Sequence, residues 1–198
     1  MGKYTIIADT GQKLVELLQR EMVPDVVKNV NEIGLRSPED HGDVSLGLFL
    51  YDVKESEEIR QAGVAIMNRD TISRPPIYLS LYYMITAYSN GDAKYRLSQE
   101  EKILGKVIQV FHDHPVIPLE EIDTERKTGT DIHISMVKMT MDEKARIWNF
   151  PNVGNRLSLF YKVTPVSIDS LLESGITRVT DIDINVVQAG ENRMPGHR

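Results

Sequence analysis

Apolar positions along the chain fall into two periods. Ile7, Leu14, Val15, Leu17, Leu18 and Met22 recur at helical spacing, and Pro24 stops the run, which predicts an amphipathic first helix. Val26 to Val30 is short and β-branched and reads as a strand, and Arg36 to Asp43 (RSPEDHGD) reads as a turn-rich loop. Between Val44 and Val53 both alternating faces are apolar. Val44, Leu46, Leu48 and Leu50 lie on one, and Phe49, Tyr51 and Val53 on the other, the pattern of a strand covered on both sides. Lys54 to Pro76 is charged, irregular and closed by Arg74-Pro75-Pro76, and long loops of this kind are often functional. A second strong strand, Ile77 to Ser89, ends at Asn90-Gly91-Asp92.

Ser98 and Glu101 have capping-box spacing and predict a helix start, followed by the stripe Ile103, Leu104, Val107, Ile108 and Phe111 and the stop at Pro115. After a polar link come a strand from Ile132 to Met139, a second capping box at Thr140 and Glu143, and a short helix from Met141 to Asn149 carrying Trp148. A strand from Leu157 to Val166 follows, then a weaker strand-like run and a loose tail. The intermixed order predicts an α+β fold: a mixed, mainly antiparallel sheet flanked by helices. Residues 1–174 are expected to form the folded domain and residues 175–198 a C-terminal arm.

Composition narrows the function. The 198 residues carry 23 Lys and Arg against 29 Asp and Glu, a formal charge of −6, which argues against nucleic acid as the partner. With no cysteine, disulfides, thiolate metal sites and cysteine nucleophiles are excluded. The apolar stretch from Ile77 to Ala87 is too short to span a bilayer, and the N-terminal residues lack the features of a signal peptide. A soluble protein with no membrane partner is expected.

Candidate chemistry is sparse. His112-Asp113-His114 is the one dense titratable cluster, but i,i+2 positions at a helix end point apart, and histidines there complement the helix dipole. Asp181 and Asp183 share one face of a strand-like run, where charge commonly guards a sheet edge. Gly105-Lys106 lies inside a helix without the upstream glycine of a phosphate loop, and no G-x-S-x-G, H-E-x-x-H or G-x-G-x-x-G occurs. Met136, Met139 and Met141 read as core filler. Trp148, beside Phe150 and Pro151, is either a core anchor or an interface anchor. No catalytic, cofactor or metal residue is assigned.

The segments VSLGLFLYDVKESEEIR, RPPIYLSLYYMITAYSNGD, EEKILGKVIQVFHDHPVI, MDEKARIWNF and LSLFYKVTPVSID, spanning about Thr5 to Asp169, carry a family resemblance. Together the chain resembles the N-terminal domain of the cap, or terminator, proteins of extracellular contractile injection systems, which are phage-tail-like particles. The resemblance implies a structural, non-enzymatic protein that forms a ring, typically sixfold, and closes the inner tube and sheath at the end far from the baseplate. It implies as partners other copies of the chain, the tube protein and the sheath protein, with assembly in the cytoplasm and release as part of the particle. A phage tail terminator, or a connector ring at another position, is the nearest alternative, and a small hydrolase or transferase a remote one. Many relatives carry a longer C-terminal region than this chain, so the resemblance does not carry over any function seated there. On this reading the candidate interface residues are Arg74, Pro75 and Pro76 at the loop exit, Trp148, and Ile182, Ile184 and Val186 in the arm.

Overall fold

In the computed structural model, which describes residues 4–56, 66–67, 71–89, 91–123, 130–151, 153–171 and 173–175, the helical stripe near the N-terminus forms α1 (Ile6–Met22). One face of α1 is buried through Ile6, Thr10, Gly11, Leu14, Val15, Leu17, Leu18 and Met22, and the Thr10 hydroxyl donates to the Ile6 carbonyl at 2.6 Å instead of staying unpaired. Past Pro24 the chain does not form the predicted strand. Val26 and Val27 both donate their N–H groups to the Met22 carbonyl, at 2.9 and 3.1 Å. Those donors close a turn on the end of α1, and buried Val27 pins it. Five residues with three valines cannot separate a strand from a buried turn by periodicity alone. The first strand comes later, as β1 (Ile33–Leu35).

The remaining elements are, in chain order, β2 (Leu46–Glu55), β3 (Ile66–Met67), β4 (Thr71–Ser73), β5 (Ile77–Ala87), α2 (Ala93–Asp113), β6 (Val116–Ile117), β7 (Ile132–Met136), α3 (Met141–Ile147), β8 (Ser158–Ile168) and β9 (Glu173–Gly175). Six strands make one sheet in the order β1-β2-β5-β8-β7-β6, and β3-β4-β9 make a second. Only β1 runs parallel to its neighbour, with Leu35 opposite Leu48; the other pairs are antiparallel. The predicted α+β architecture is the observed one.

Helices α1 and α2 cover one face of the large sheet, where Leu14, Leu18, Met22 and Val107 meet Leu46, Leu48, Leu81, Ile85 and Val163. The other face carries a smaller cluster of Met84, Trp148 and Phe160 with Phe49, Tyr51 and Val137 around it. β2 is therefore covered on both sides, but only as far as Tyr51. There the register with β5 slips between Leu50 and Asp52, so Tyr51 is an extra residue. Val53 consequently stands opposite Leu81 on the α1/α2 face, not with Phe49 and Tyr51 as strict alternation predicts, and it is exposed.

Two helix starts differ in outcome. Thr140 and Glu143 form the predicted capping box: the Thr140 hydroxyl accepts from the Glu143 N–H at 3.3 Å, and the Glu143 carboxylate accepts from the Thr140 N–H at 2.8 Å. Ser98 and Glu101 do not cap α2, which begins at Ala93, a turn and a half earlier. The intervening residues are mostly good helix formers, so the helix extends through the apparent cap. Glu100 instead turns outward from α2, accepting from the Ser89 N–H at 3.1 Å and from Arg156 at 2.9 Å.

Candidate interaction surfaces

Pro75 and Pro76 lack N–H donors and cannot continue a ladder. Pairing of β5 with β8 accordingly stops at Ile77 opposite Ile168. It resumes on the far side of the proline pair as β4 with β9, Ser73 opposite Glu173. Arg74 is exposed at this corner and both prolines are half-buried. The segment expected as an irregular loop thus contains the end of β2 and the pair β3–β4, and the second sheet leaves the large one at Arg74, Pro75 and Pro76.

Trp148 follows α3 and is buried, 6% exposed, against Met84 and Phe160. Its ring meets Phe150 edge-on at 5.8 Å, and Phe150 meets Phe49 at 5.7 Å. Beneath this layer the Tyr51 hydroxyl donates to the Met139 sulfur at 3.9 Å, and burial pushes that phenol up to about 12. Within one copy of the chain Trp148 is a core anchor that fixes α3 to the sheet. Ile182, Ile184 and Val186, with Asp181 and Asp183, lie outside the described residues.

Two of the concavities lie toward opposite ends of α1. A basin of about 740 Å³ lies between the turn after α1 and the first turns of α2, lined by Asp25, Lys28, Glu32, Gln99 and Lys102 together with Val26, Val27 and Ile103 among others. Glu32 there accepts from the Ser45 hydroxyl at 2.6 Å and the Asn29 amide at 2.8 Å. Those hydrogen bonds hold its carboxyl below the usual range, so it is engaged as an anion. The other concavity is an apolar groove of about 570 Å³ between the N-terminal half of α1 and the edge formed by β1 and β2. Gly11 lets α1 approach: a Cβ at that position would lie 3.1 Å from the Tyr83 hydroxyl and 3.2 Å from Leu35.

The titratable cluster sits at the end of α2, where His114 Nε2 lies 3.7 Å from a Glu21 carboxylate oxygen. Among the described residues no three His, Asp or Glu side chains are grouped to hold a metal ion, and no helix is long and apolar enough to cross a membrane. Sequence reasoning missed two surface features. One is the groove, which needs tertiary contact between elements. The other is Leu97 and Leu157, 71% and 64% exposed, which line one depression between α2 and the entry to β8. Leu97 stands alone among polar residues, and that isolation was the available signal.

The geometry describes a sheet scaffold with edges and grooves. Solved structures that share its fold include the following two. One is the sheath/tube terminator, in its extended state, of the extracellular contractile injection system PVC, with a TM-score of 0.65 and 17% identity over 93% of this chain. The second is the tube-terminating cap of the anti-feeding prophage AFP, with a TM-score of 0.63 and 18% identity over 93% of this chain. The match takes in 64% and 62% of those longer chains. No curated protein matches in a sequence search. The family profile described as the Pvc16 N-terminal domain matches residues 9–181; the chain belongs to that family.

Proposed function

We propose that this chain is the structural, non-enzymatic cap of a phage-tail-like contractile injection particle. It forms a ring that ends the inner tube and sheath at the end distal to the baseplate. The observation that carries this reading is the fold shared over 93% of the chain with two terminating caps. The physical logic is that stacked rings always present an adhesive end, because heterologous contacts do not close. A ring whose lower face imitates the next tube ring, and whose upper face does not, stops growth. The partners are other copies of the chain, most simply six, with the tube and sheath proteins. Assembly takes place in the cytoplasm, and the cap leaves the cell with the particle. Residues 1–174 form the ring domain and 175–198 an arm, and Arg74, Pro75 and Pro76 aim the second sheet at a neighbour.

Negative-stain imaging of the protein mixed with purified tubes tests this. Rings seated on tube ends opposite the baseplate are expected, whereas rings elsewhere along a particle, or monomers with measurable turnover, overturn it. Deleting Glu55 to Asn68 is expected to leave a folded chain that no longer caps tubes.

A further inference from the structure

The groove beside α1 has an unused strand edge. Arg36 donates its N–H to the Leu48 carbonyl at 3.0 Å, and Gly34 pairs with Gly47. Even-numbered residues of β1 therefore turn their backbone groups toward β2, and Ile33 and Leu35 turn theirs outward. The Ile33 carbonyl is met by the Gln19 side-chain amide at 3.1 Å. The Leu35 N–H and carbonyl have no partner among the described residues. Beyond Leu48, the outer edge of β2 is likewise unpaired among the described residues.

Below this edge lies the groove, floored by Ile7, Ala8, Gly11, Leu50 and Tyr83. Arg36 is the one charged residue in its lining, and among the described residues no carboxylate lies within ion-pair distance of it. An extended segment with one apolar face and carboxylates on the other fits such a place, adding a strand to the edge.

The chain carries one such segment. Ile182, Ile184 and Val186 alternate with Asp181 and Asp183, within the 23 residues 176–198 that follow β9. The groove runs along the half of the sheet where β2 begins and β5 ends, as far as Leu50 opposite Tyr83. The C-terminal segment departs after β8 reaches the opposite end, at Ile77 opposite Ile168. From Tyr83 to Ile77 is about 20 Å at the rise of a strand, and the pairing of Ser73 with Glu173 and Thr71 with Gly175 carries the C-terminal segment further still, beyond Pro75 and Pro76. From Gly175 to Asp181 the chain spans at most about 22 Å. We propose that residues 181–187 of one copy add as an edge strand in the α1/β1 groove of a second copy, with Asp181 or Asp183 paired to Arg36. A contact between opposite ends of successive copies is heterologous, and rotation closes such a series into a ring.

Absence of native cysteine makes the test direct. Full-length protein carrying Ala8→Cys is mixed with tagged full-length protein carrying Gln188→Cys, without tube or sheath, and treated with a short bis-maleimide. A product joining the two forms is expected. It should fall about tenfold or more when the Gln188→Cys copy also carries Ile182→Asp and Ile184→Asp, substitutions outside the described fold. Leu35→Pro, which removes the outward N–H and replaces a side chain that lines the groove, should have the same effect, with thermal unfolding confirming that the variant folds. Arg36→Asp should weaken the product, and Asp181→Arg with Asp183→Arg in the partner copy should restore it. The proposal is overturned by no joined product, by one insensitive to these changes, or by linkage found only within a chain bearing both cysteines. Linkage of position 188 to added sheath protein alone also overturns it. None of these outcomes bears on end-capping, which the imaging experiment reads separately.

Discussion

Glu32 and Trp148 are each held by a few specific contacts. Hydrogen bonds from Ser45 and Asn29 lower the Glu32 carboxyl below its ordinary value. The stability this gives is present above the ordinary carboxylate pKa, about 4.3, and is lost as pH falls through the lower folded value. Glu32→Gln should therefore flatten the fall in stability between about pH 5 and pH 3, as followed by denaturant unfolding at each pH. Trp148→Ala removes a buried indole from the Met84 and Phe160 cluster, and a loss of about 3–5 kcal/mol is expected by the same measurement. The lone tryptophan was conspicuous in the sequence, yet its partners Met84 and Phe160 lie on β5 and β8, far away along the chain. Its burial could be read only once the sheet had brought them together.

At the scale of elements, local hydrogen bonds decide where helices begin. Thr140 and Glu143 satisfy each other's backbone groups, so Thr140→Ala should cost about 1 kcal/mol, measured by thermal unfolding. Ser98 and Glu101 have the same spacing and cap nothing, because nothing upstream of them stops α2. A capping box is a reliable signal where the preceding residues are extended, as before α3, and an ambiguous one inside a polar helix-forming stretch. The long strands β2, β5 and β8 were legible because apolar residues on both faces have few other uses. The pair β3–β4 was not. Its strands are two and three residues long, too short for periodicity to register. Nor could the slip at Tyr51 be foreseen, since a bulge is a property of two paired strands, not of one.

For the whole molecule the controlling quantity is charge. A formal −6 per chain would give the proposed sixfold ring about −36, and like charges on adjacent copies repel over roughly a Debye length, about 10 Å at 0.1 M salt. Ring formation is expected to strengthen as salt rises from about 0.05 to 0.5 M, where that length shrinks toward a few ångströms. Sedimentation velocity at fixed protein concentration would register the shift, and weakening with salt would mean that attractive ion pairs dominate the seams. The Arg36 contact proposed for the groove is one such pair, so its Arg36→Asp variant should show the steeper salt dependence of a ring lacking it.

The sequence by itself determined the α+β class, the order of most elements, the cysteine-free acidic surface and the family, because each is written in local periodicity, composition or colinear motifs. Tertiary structure alone decided which apolar residues became core and which became surface. It placed Trp148 inward, Leu97 and Leu157 outward, and Val53 on the unexpected face beyond the bulge. It also assembled the groove from α1, β1, β2 and β5. The physical reason is that burial and edge exposure depend on pairing between residues distant in the chain, and a one-dimensional pattern carries the period of a segment but not its neighbour.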